Sequence, residues 1–429
     1  YLLYLVGWDR VAVVLADQPA GKSLINPFDT GHVEDFNFGY FLIGVFGVLL
    51  RGLGWQGEQA YNVSATSAHE AKMAGVLAMW RGFPQGLLLA IVPIVAATAM
   101  QHVDFSSVAG TVQGQLDAIE AESVRSHLAT PLVLAQLLPI GLMGMFGAMM
   151  LAAFISTHDT YLHSWGSIFI QDVWLPIRGG RIGRKEHLKL LRWAIFGVAV
   201  FIFLFSLFYV PGNKILMYFA LTGSIYASWA GIVTIGGLYT RWGTTAGAYA
   251  ALVCGSGSAV VGILVDQKVI DSSLNGQEFW AIGMAVSILA YVVFSLLTPR
   301  RFNLDRLLHR GAYALPVEKV VVHERPKLAW RLLGMGKEFT RRDRVLYIVT
   351  YLWTGLNVIV FILGTVANLV RGDDHVSDAA WLTYWKIWVG VQAGIAVIVI
   401  LWFGAGGIRD AGRMLRHLAT ATRDDTDGG

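Results

Sequence analysis

The sequence holds one cysteine, Cys254, and it lies inside an apolar run. No intrachain disulfide framework and no cysteine-built metal site can therefore be assembled. Charge is scarce as well, with Asp, Glu, Lys and Arg making up 14% of the residues where an ordinary soluble domain carries about 25%. That scarcity excludes a water-soluble globule. The net charge of +4 is small and, as shown below, sorted by loop, so it gives no argument for a nucleic-acid partner. A charged leader with a small-residue cleavage site is also missing from the start, which excludes reading it as a signal peptide. No short-period repeat, low-complexity tract, catalytic constellation or soluble catalytic domain is visible, and the chain is not read as an enzyme.

What fills the 429 residues is apolar: 55% are hydrophobic, in runs of about 20, the length that crosses a hydrocarbon core of roughly 30 Å. The pattern predicts an all-α polytopic membrane protein with nine spans, at 38–60, 76–100, 134–167, 190–210, 215–238, 245–265, 279–298, 345–369 and 382–405. The opening YLLYLVG reads as the tail of a span already in progress, with Tyr1 in place of an initiator Met, so the chain is expected to be truncated.

The loops between these spans alternate in charge. Loops 8–37, 101–130, 266–278 and 371–378 are acidic. Segment 178–192 carries Arg178, Arg181, Arg184, Lys185, Lys189 and Arg192, and segment 300–344 is strongly basic from Arg300 to Arg344. By the positive-inside rule the basic loops and the C-terminus, with Arg409, Arg413 and Arg416, face the cytoplasm. The reading is a multi-pass plasma-membrane protein of the bacterial inner-membrane kind. Within 300–344, LAWRLLGMG reads either as an amphipathic helix on the inner leaflet or as a plain basic linker, and the tail ATRDDTDGG reads as disordered.

The most informative stretch is 144–174, where small and hydroxylated residues interrupt an apolar helix. At 100° per residue, Ala153, Ser156, Thr157, Thr160, Ser164 and Ser167 share one face, with His163 at its edge, Asp159 at the border and His158 pointing away. Two readings fit such a stripe: close helix packing through small residues, and a set of hard oxygen ligands for a small cation. Ionisable groups inside a span normally line a pathway, so Asp159 and His158 argue for a transport site. A metalloenzyme site fails, because His158 and His163 are five apart and project to different faces.

This stretch resembles the signature span of the sodium:solute symporter family, approximately AAxxSTxDSxLNSxSxxFxxDIY, here AAFISTHDTYLHSWGSIFIQDVW. Ala152, Ala153, Ser156, Thr157, Asp159, Leu162, Ser164, Phe169 and Asp172 match, while Thr160 and His163 stand where the family has Ser and Asn. WQGEQAYNVSATSAHEAKMAG and GGLYTRWGTTAGAYAA are similar to two further family segments. The resemblance implies a leucine-transporter-type inverted-repeat bundle, with solute and sodium held where discontinuous helices expose backbone.

On that resemblance, 1–37 is the end of a truncated span and an external loop, and 38–240 is the second five-helix repeat. Residues 241–298 are peripheral transmembrane helices, 299–344 the basic cytoplasmic loop, 345–408 the last two spans and 409–429 the cytoplasmic tail. The implied function is sodium-coupled import of a small polar organic solute. Sodium, as the co-transported ion, would take the hydroxyls of Ser156 and Thr157 and the carbonyl of Ala153, with Asp159 compensating its charge. The first repeat would be almost wholly absent, leaving the hydroxyl face in an open groove or against lipid.

For the solute, RGLGWQGEQ at 51–59 carries three helix-weakening glycines, as a broken span requires. Arg51, Trp55, Gln56 and Gln59 offer charge, a flat ring and amides suited to a polar molecule, and Glu58 shares a face with Arg51. Arg81 lies one position from where some family members place a functional Lys. Tyr218, Thr222, Ser224 and Tyr226 are candidates for the opposite wall. The alternatives are a proton-coupled relay through His158 and Asp159 and a transporter-like membrane sensor.

Overall fold

The computed structural model describes residues 1–33, 37–55, 57, 62, 64–179, 182–208, 215–299, 302–309, 311–313, 334–336, 338–371 and 376–420. Among them there are helices and no strands. In chain order these are α1 (Leu2–Val6), α2 (Trp8–Ala16), α3 (Phe38–Gly54), α4 (Ala68–Gln101), α5 (Ser106–Asp117), α6 (Glu122–Leu137) and α7 (Ile140–Ile168). The order continues with α8 (Leu175–Arg178), α9 (Arg184–Phe208), α10 (Ile215–Tyr239), α11 (Thr245–Asp266), α12 (Gly276–Leu297), α13 (Leu304–Leu307), α14 (Arg341–Arg371) and α15 (Asp378–Thr420). A π-helical turn, Phe169–Trp174, joins α7 to α8, making one 39-residue apolar stretch. Among the described residues eight helices are long and apolar enough to cross a membrane, and α3 is a shorter apolar helix. The protein is an all-α polytopic membrane protein.

Local chemistry sets many of the boundaries. Ser67 opens α4 by accepting from the Glu70 amide, Thr244 opens α11 through the Gly247 amide, and Asn275 forms a reciprocal capping box with Glu278 at α12. These side chains satisfy amides that a helix start leaves without carbonyl partners. Pro139 precedes α7, where a residue without an N–H loses nothing. This proline ends the preceding segment, so the span expected at 134–167 begins at Ile140. Three further expectations are corrected. Residues 8–16, 106–117 and 122–130, read as parts of loops 8–37 and 101–130, are helical, because Val11, Val112 and Leu116 join Val6, Val133 and Leu137 in a common buried apolar cluster. The first full span stops at Gly54, where Trp55 turns extended at φ −71° and ψ 114°. The last span, expected at 382–405, is longer than that: α15 runs unbroken from Asp378 to Thr420. The LAWRLLGMG motif lies almost wholly, and the end of the tail from residue 421 wholly, outside the described residues.

The chain divides into two compact units. The first comprises residues 1–18, 57–210 and 349–429. Its core joins α1, α2, α4, α5 and α6 around Val95, Ala96 and Ala99. α15 packs on α4, and α9 packs on α7. From α4, the Trp80 indole N–H donates to Thr350 Oγ1 at 2.7 Å, and Phe83 stands edge-on to Trp353 at 5.8 Å. Outside the membrane-spanning stretch, Arg10 Nε donates to Asp104 Oδ2 at 2.6 Å. The hydrogen bond from Arg10 lowers the Asp104 carboxyl below its ordinary value.

The second unit comprises 19–56 and 211–348, with α10 in contact with α3, α11 and α12. Lipid tails are as apolar as leucine, so helices here associate by close packing and hydrogen bonds rather than by hydrophobic burial. Small residues do this. A Cβ on Gly231 would lie 2.2 Å from the Leu50 carbonyl oxygen, and one on Gly255 would lie 2.2 Å from Ser287 Oγ. Ser256 Oγ donates across to the Ile225 carbonyl at 2.7 Å.

Candidate ion and solute sites

The hydroxyl stripe sits in the first unit, on α7. Ala153, Ser156 and Thr157 are exposed, and Ser156 Oγ donates to the Ala153 carbonyl at 3.1 Å. Two of the three oxygens assigned to the ion therefore converge through the helix's own geometry. The Thr157 hydroxyl has no hydrogen-bond partner among the described residues. Thr160 Oγ1 donates back to the Ser156 carbonyl at 2.9 Å, the way a hydroxyl satisfies itself within a helix. Asp159 is exposed and has no ion-pair partner among the described residues. Hydroxyl and carbonyl lone pairs beside a carboxylate are hard oxygen donors, suited to a small hard cation.

His158 leaves this face. Its Nδ1 hydrogen-bonds the Phe154 carbonyl at 2.9 Å, which makes Nδ1 the donor, and its ring lies 4.1 Å from that of Phe154. A proton held against a carbonyl of its own helix is poorly placed for a relay with Asp159. Further along, Ser164 is buried and donates to the Gly57 carbonyl at 3.1 Å. This stripe residue thus serves packing, fastening the chain just after the end of α3. The stripe carries both readings that its sequence allowed, exposed oxygens in one part and helix contact in the other.

The solute candidates fall mainly in the second unit. The Arg51 guanidinium lies over the Trp55 ring at 5.5 Å, and Trp55 meets Tyr226 edge-on at 6.3 Å. The Tyr226 hydroxyl donates to the Gly54 carbonyl at 2.6 Å, and its ring packs on Trp229 at 5.3 Å. The end of a helix leaves carbonyls without amide partners, and each unsatisfied group away from water is costly. Tyr226 supplies one of those partners. The result is a half-buried aromatic surface with a cation at its edge, set where backbone leaves the helix.

Tyr218 and Thr222 lie on α10, one turn apart, and Thr222 Oγ1 donates to the Tyr218 carbonyl at 2.7 Å. Ser224 is buried and bonded to the Leu221 carbonyl, so it does not line an open wall. Arg81 is exposed on α4 and belongs to the first unit, apart from the Arg51 and Trp55 set. Gln56, Gln59 and Glu58 lie outside the described residues. The bond between Tyr226 and Gly54 was not foreseen. Its only signal in the sequence was the Gly-Leu-Gly-Trp break at 52–55, which promised an orphan carbonyl without naming its partner.

The sodium/mannose cotransporter of Bos taurus is 28% identical over 203 residues, which cover 45% of this chain and 32% of that protein. The sodium/myo-inositol cotransporter 2 of Mus musculus is 27% identical over 147 residues, 33% of this chain and 21% of that protein. The chain thus spans a third or less of the length of these relatives. No solved structure matches it at a significant level. The sequence profile of the sodium:solute symporter family matches residues 38–255, just over half of the chain, from α3 through the signature helix into α11. The protein belongs to the sodium:solute symporter family.

Proposed function

We propose that the protein is a sodium-coupled secondary transporter that imports a small polyhydroxylated solute across the plasma membrane by alternating access. The observation that carries the reading is the exposed oxygen set on α7, Ala153 carbonyl, Ser156 Oγ and Thr157 Oγ1. Family membership supports the coupling ion, and the printed names of the two relatives, one for mannose and one for myo-inositol, support the solute class. The reading also keeps 38–240 as the second five-helix repeat of a leucine-transporter-type core, with the C-terminus in the cytoplasm.

In this reading sodium binds by its charge to the lone pairs of the two hydroxyls and the Ala153 carbonyl. The Ser156 hydroxyl turns its proton away from Ala153 to free both oxygens, and the Asp159 carboxylate compensates the ion's charge from the border of the stripe. The Trp55 ring gives the apolar face of a sugar or polyol a flat platform, while Arg51 bonds its hydroxyls; Gln56 and Gln59, outside the described residues, stay candidates by residue type alone. Tyr218 and Thr222 of α10 furnish a second wall, while Arg81, on α4 of the first unit, is kept as a separate candidate for contact with the solute. Ion binding favours the state in which the solute pocket is formed, so the two move together.

The driving force is sufficient. One charge moved through 100 mV is worth about 2.3 kcal/mol, and tenfold accumulation takes about 1.4 kcal/mol, so voltage alone supports roughly 50-fold uptake per ion. The test is uptake of labelled mannose and myo-inositol into proteoliposomes, with an amino acid and a dicarboxylate as contrasts. An inward sodium gradient at fixed pH is expected to drive accumulation of the polyhydroxylated pair. Accumulation driven by a proton gradient without sodium overturns the ion, and accumulation of the amino acid or dicarboxylate instead overturns the solute class.

A further inference from the structure

Within the first unit, α7 with its π-helical turn and α9 pack together but leave a groove of about 480 Å³ between them. That size falls in the roughly 300–1,000 Å³ range of small-molecule sites. Trp165, Phe169 and Trp174 form one wall; Trp193, Gly197 and Phe201 form the other. On α7 itself, Trp165 lies about 120° round the helix from Ala153 at 100° per residue, away from the hydroxyl stripe, and none of the stripe residues lines the groove. The wall is apolar throughout, which excludes the polar solute and calls for a hydrocarbon occupant. A π-helical turn inserts extra backbone into a helix and re-aims the residues after it. Here it spans Phe169 and Trp174, two of the wall residues.

One end of the groove is basic. Arg178 of α8 pairs with Glu186 of α9, and Gln171 Nε2 meets His187 Nε2 at 3.3 Å. Lys189 lies one helical turn before Trp193, exposed and with no ion-pair partner among the described residues. Lys185 and Arg192 are also exposed on the same stretch of α9. Arg178 and Glu186 cancel by pairing, and Lys185, Lys189 and Arg192 outnumber Asp172, exposed on the π-helical turn, so this stretch is net positive.

We infer that the groove is a binding site for an anionic phospholipid, whose acyl chain lies against the tryptophans and whose phosphate is held at Lys189. A neutral phospholipid offers the same chain but no net charge for the rim to meet. A lysine near an anionic headgroup gives about fivefold preference, the fold-change equivalent of ~1 kcal/mol.

The test uses the full chain in phosphatidylcholine nanodiscs doped with a small fraction of brominated phosphatidylglycerol or, separately, brominated phosphatidylcholine, with tryptophan quenching as the readout. Brominated phosphatidylglycerol is expected to half-saturate the quenching at about one fifth of the fraction needed by its neutral counterpart. Lys189→Gln, an exposed substitution, should bring the two lipids together while quenching persists. Gly197→Phe should weaken quenching by both, because a side chain there enters the groove and a Cβ at Gly197 meets nothing within 4 Å. Equal quenching by the two lipids in the unaltered protein overturns the headgroup assignment. Quenching unchanged by Gly197→Phe overturns the groove as its location.

Discussion

Replacing Thr157 by alanine isolates the ion site better than any other change on α7. Its hydroxyl has no partner among the described residues and its side chain is exposed, so the substitution removes a ligand without breaking a bond of the fold. Ser156→Ala, by contrast, also removes the bond that Ser156 Oγ makes to the Ala153 carbonyl at 3.1 Å. A polar contact to a charged group is worth about 1.5–3 kcal/mol. Because the site is open, a water replaces the lost oxygen in part, which places the effect near the lower figure. At about 1.4 kcal/mol per tenfold, the sodium concentration for half-maximal uptake should rise roughly tenfold. At saturating sodium the maximal rate and the solute's half-saturation should stay near those of the unaltered protein. Thr157→Ser retains the oxygen and should restore most of the affinity. The assay is solute uptake into proteoliposomes over a range of sodium at constant ionic strength, with choline as the replacement. A shift under twofold for Thr157→Ala, at matched protein incorporation, would refute the assignment.

Other expectations follow from single contacts. His158→Gln should leave sodium dependence intact and lower thermal stability by about 0.5–1.5 kcal/mol, the scale of one aromatic pair, since the ring packs on Phe154 and its Nδ1 bonds only that residue's carbonyl; a new response of uptake to a proton gradient would revive the relay. Gly231→Ala should destabilise the α3–α10 contact by about 1–3 kcal/mol, seen as a lower unfolding midpoint in detergent, because its Cβ would enter the Leu50 carbonyl; an unchanged midpoint would contradict that close approach. Asp104→Asn tests the clasp to Arg10. Its carboxyl is lowered in the folded chain, so the pair stabilises above the ordinary value of 3.8 and that contribution is lost as pH falls below it. The midpoints of variant and unaltered protein should differ near neutrality and converge in acid, and a pH-independent difference would contradict the pairing.

The spans and the exposed face of α7 were legible because both rest on quantities a sequence carries directly: run length against bilayer thickness, and residue spacing against 100° per residue. Ser156, Thr157 and Asp159 were placed that way, and so was His158 on the other side. The helices α5 and α6 that follow α4 escaped notice because polar residues interrupt their apolar ones. In hindsight the four-residue spacing of Val112 to Leu116 and of Val133 to Leu137 was their trace. Which helix packs on which was not legible at all. Periodicity tells that a face is apolar or small but not whose face it meets, so nothing in the sequence put Arg51, Trp55 and Tyr226 in one unit and Arg81 in another. The carbonyl of Gly54 finds Tyr226 across 172 residues of chain. That pairing is a property of the fold alone.

The length of α15 bears on how motion inside the membrane is felt outside it. Its 43 residues make a rod of about 65 Å at 1.5 Å per residue, roughly twice the hydrocarbon thickness. Residues 406–420 therefore form an arm of about 22 Å past the apolar stretch. A rocking of the embedded part by only 10° about Gly404 swings Thr420 through about 4 Å, an amplitude that a spin label or a fluorescent pair on the arm resolves easily. The last helix is thus a built-in pointer, magnifying a small change of tilt into a displacement that can be followed in water.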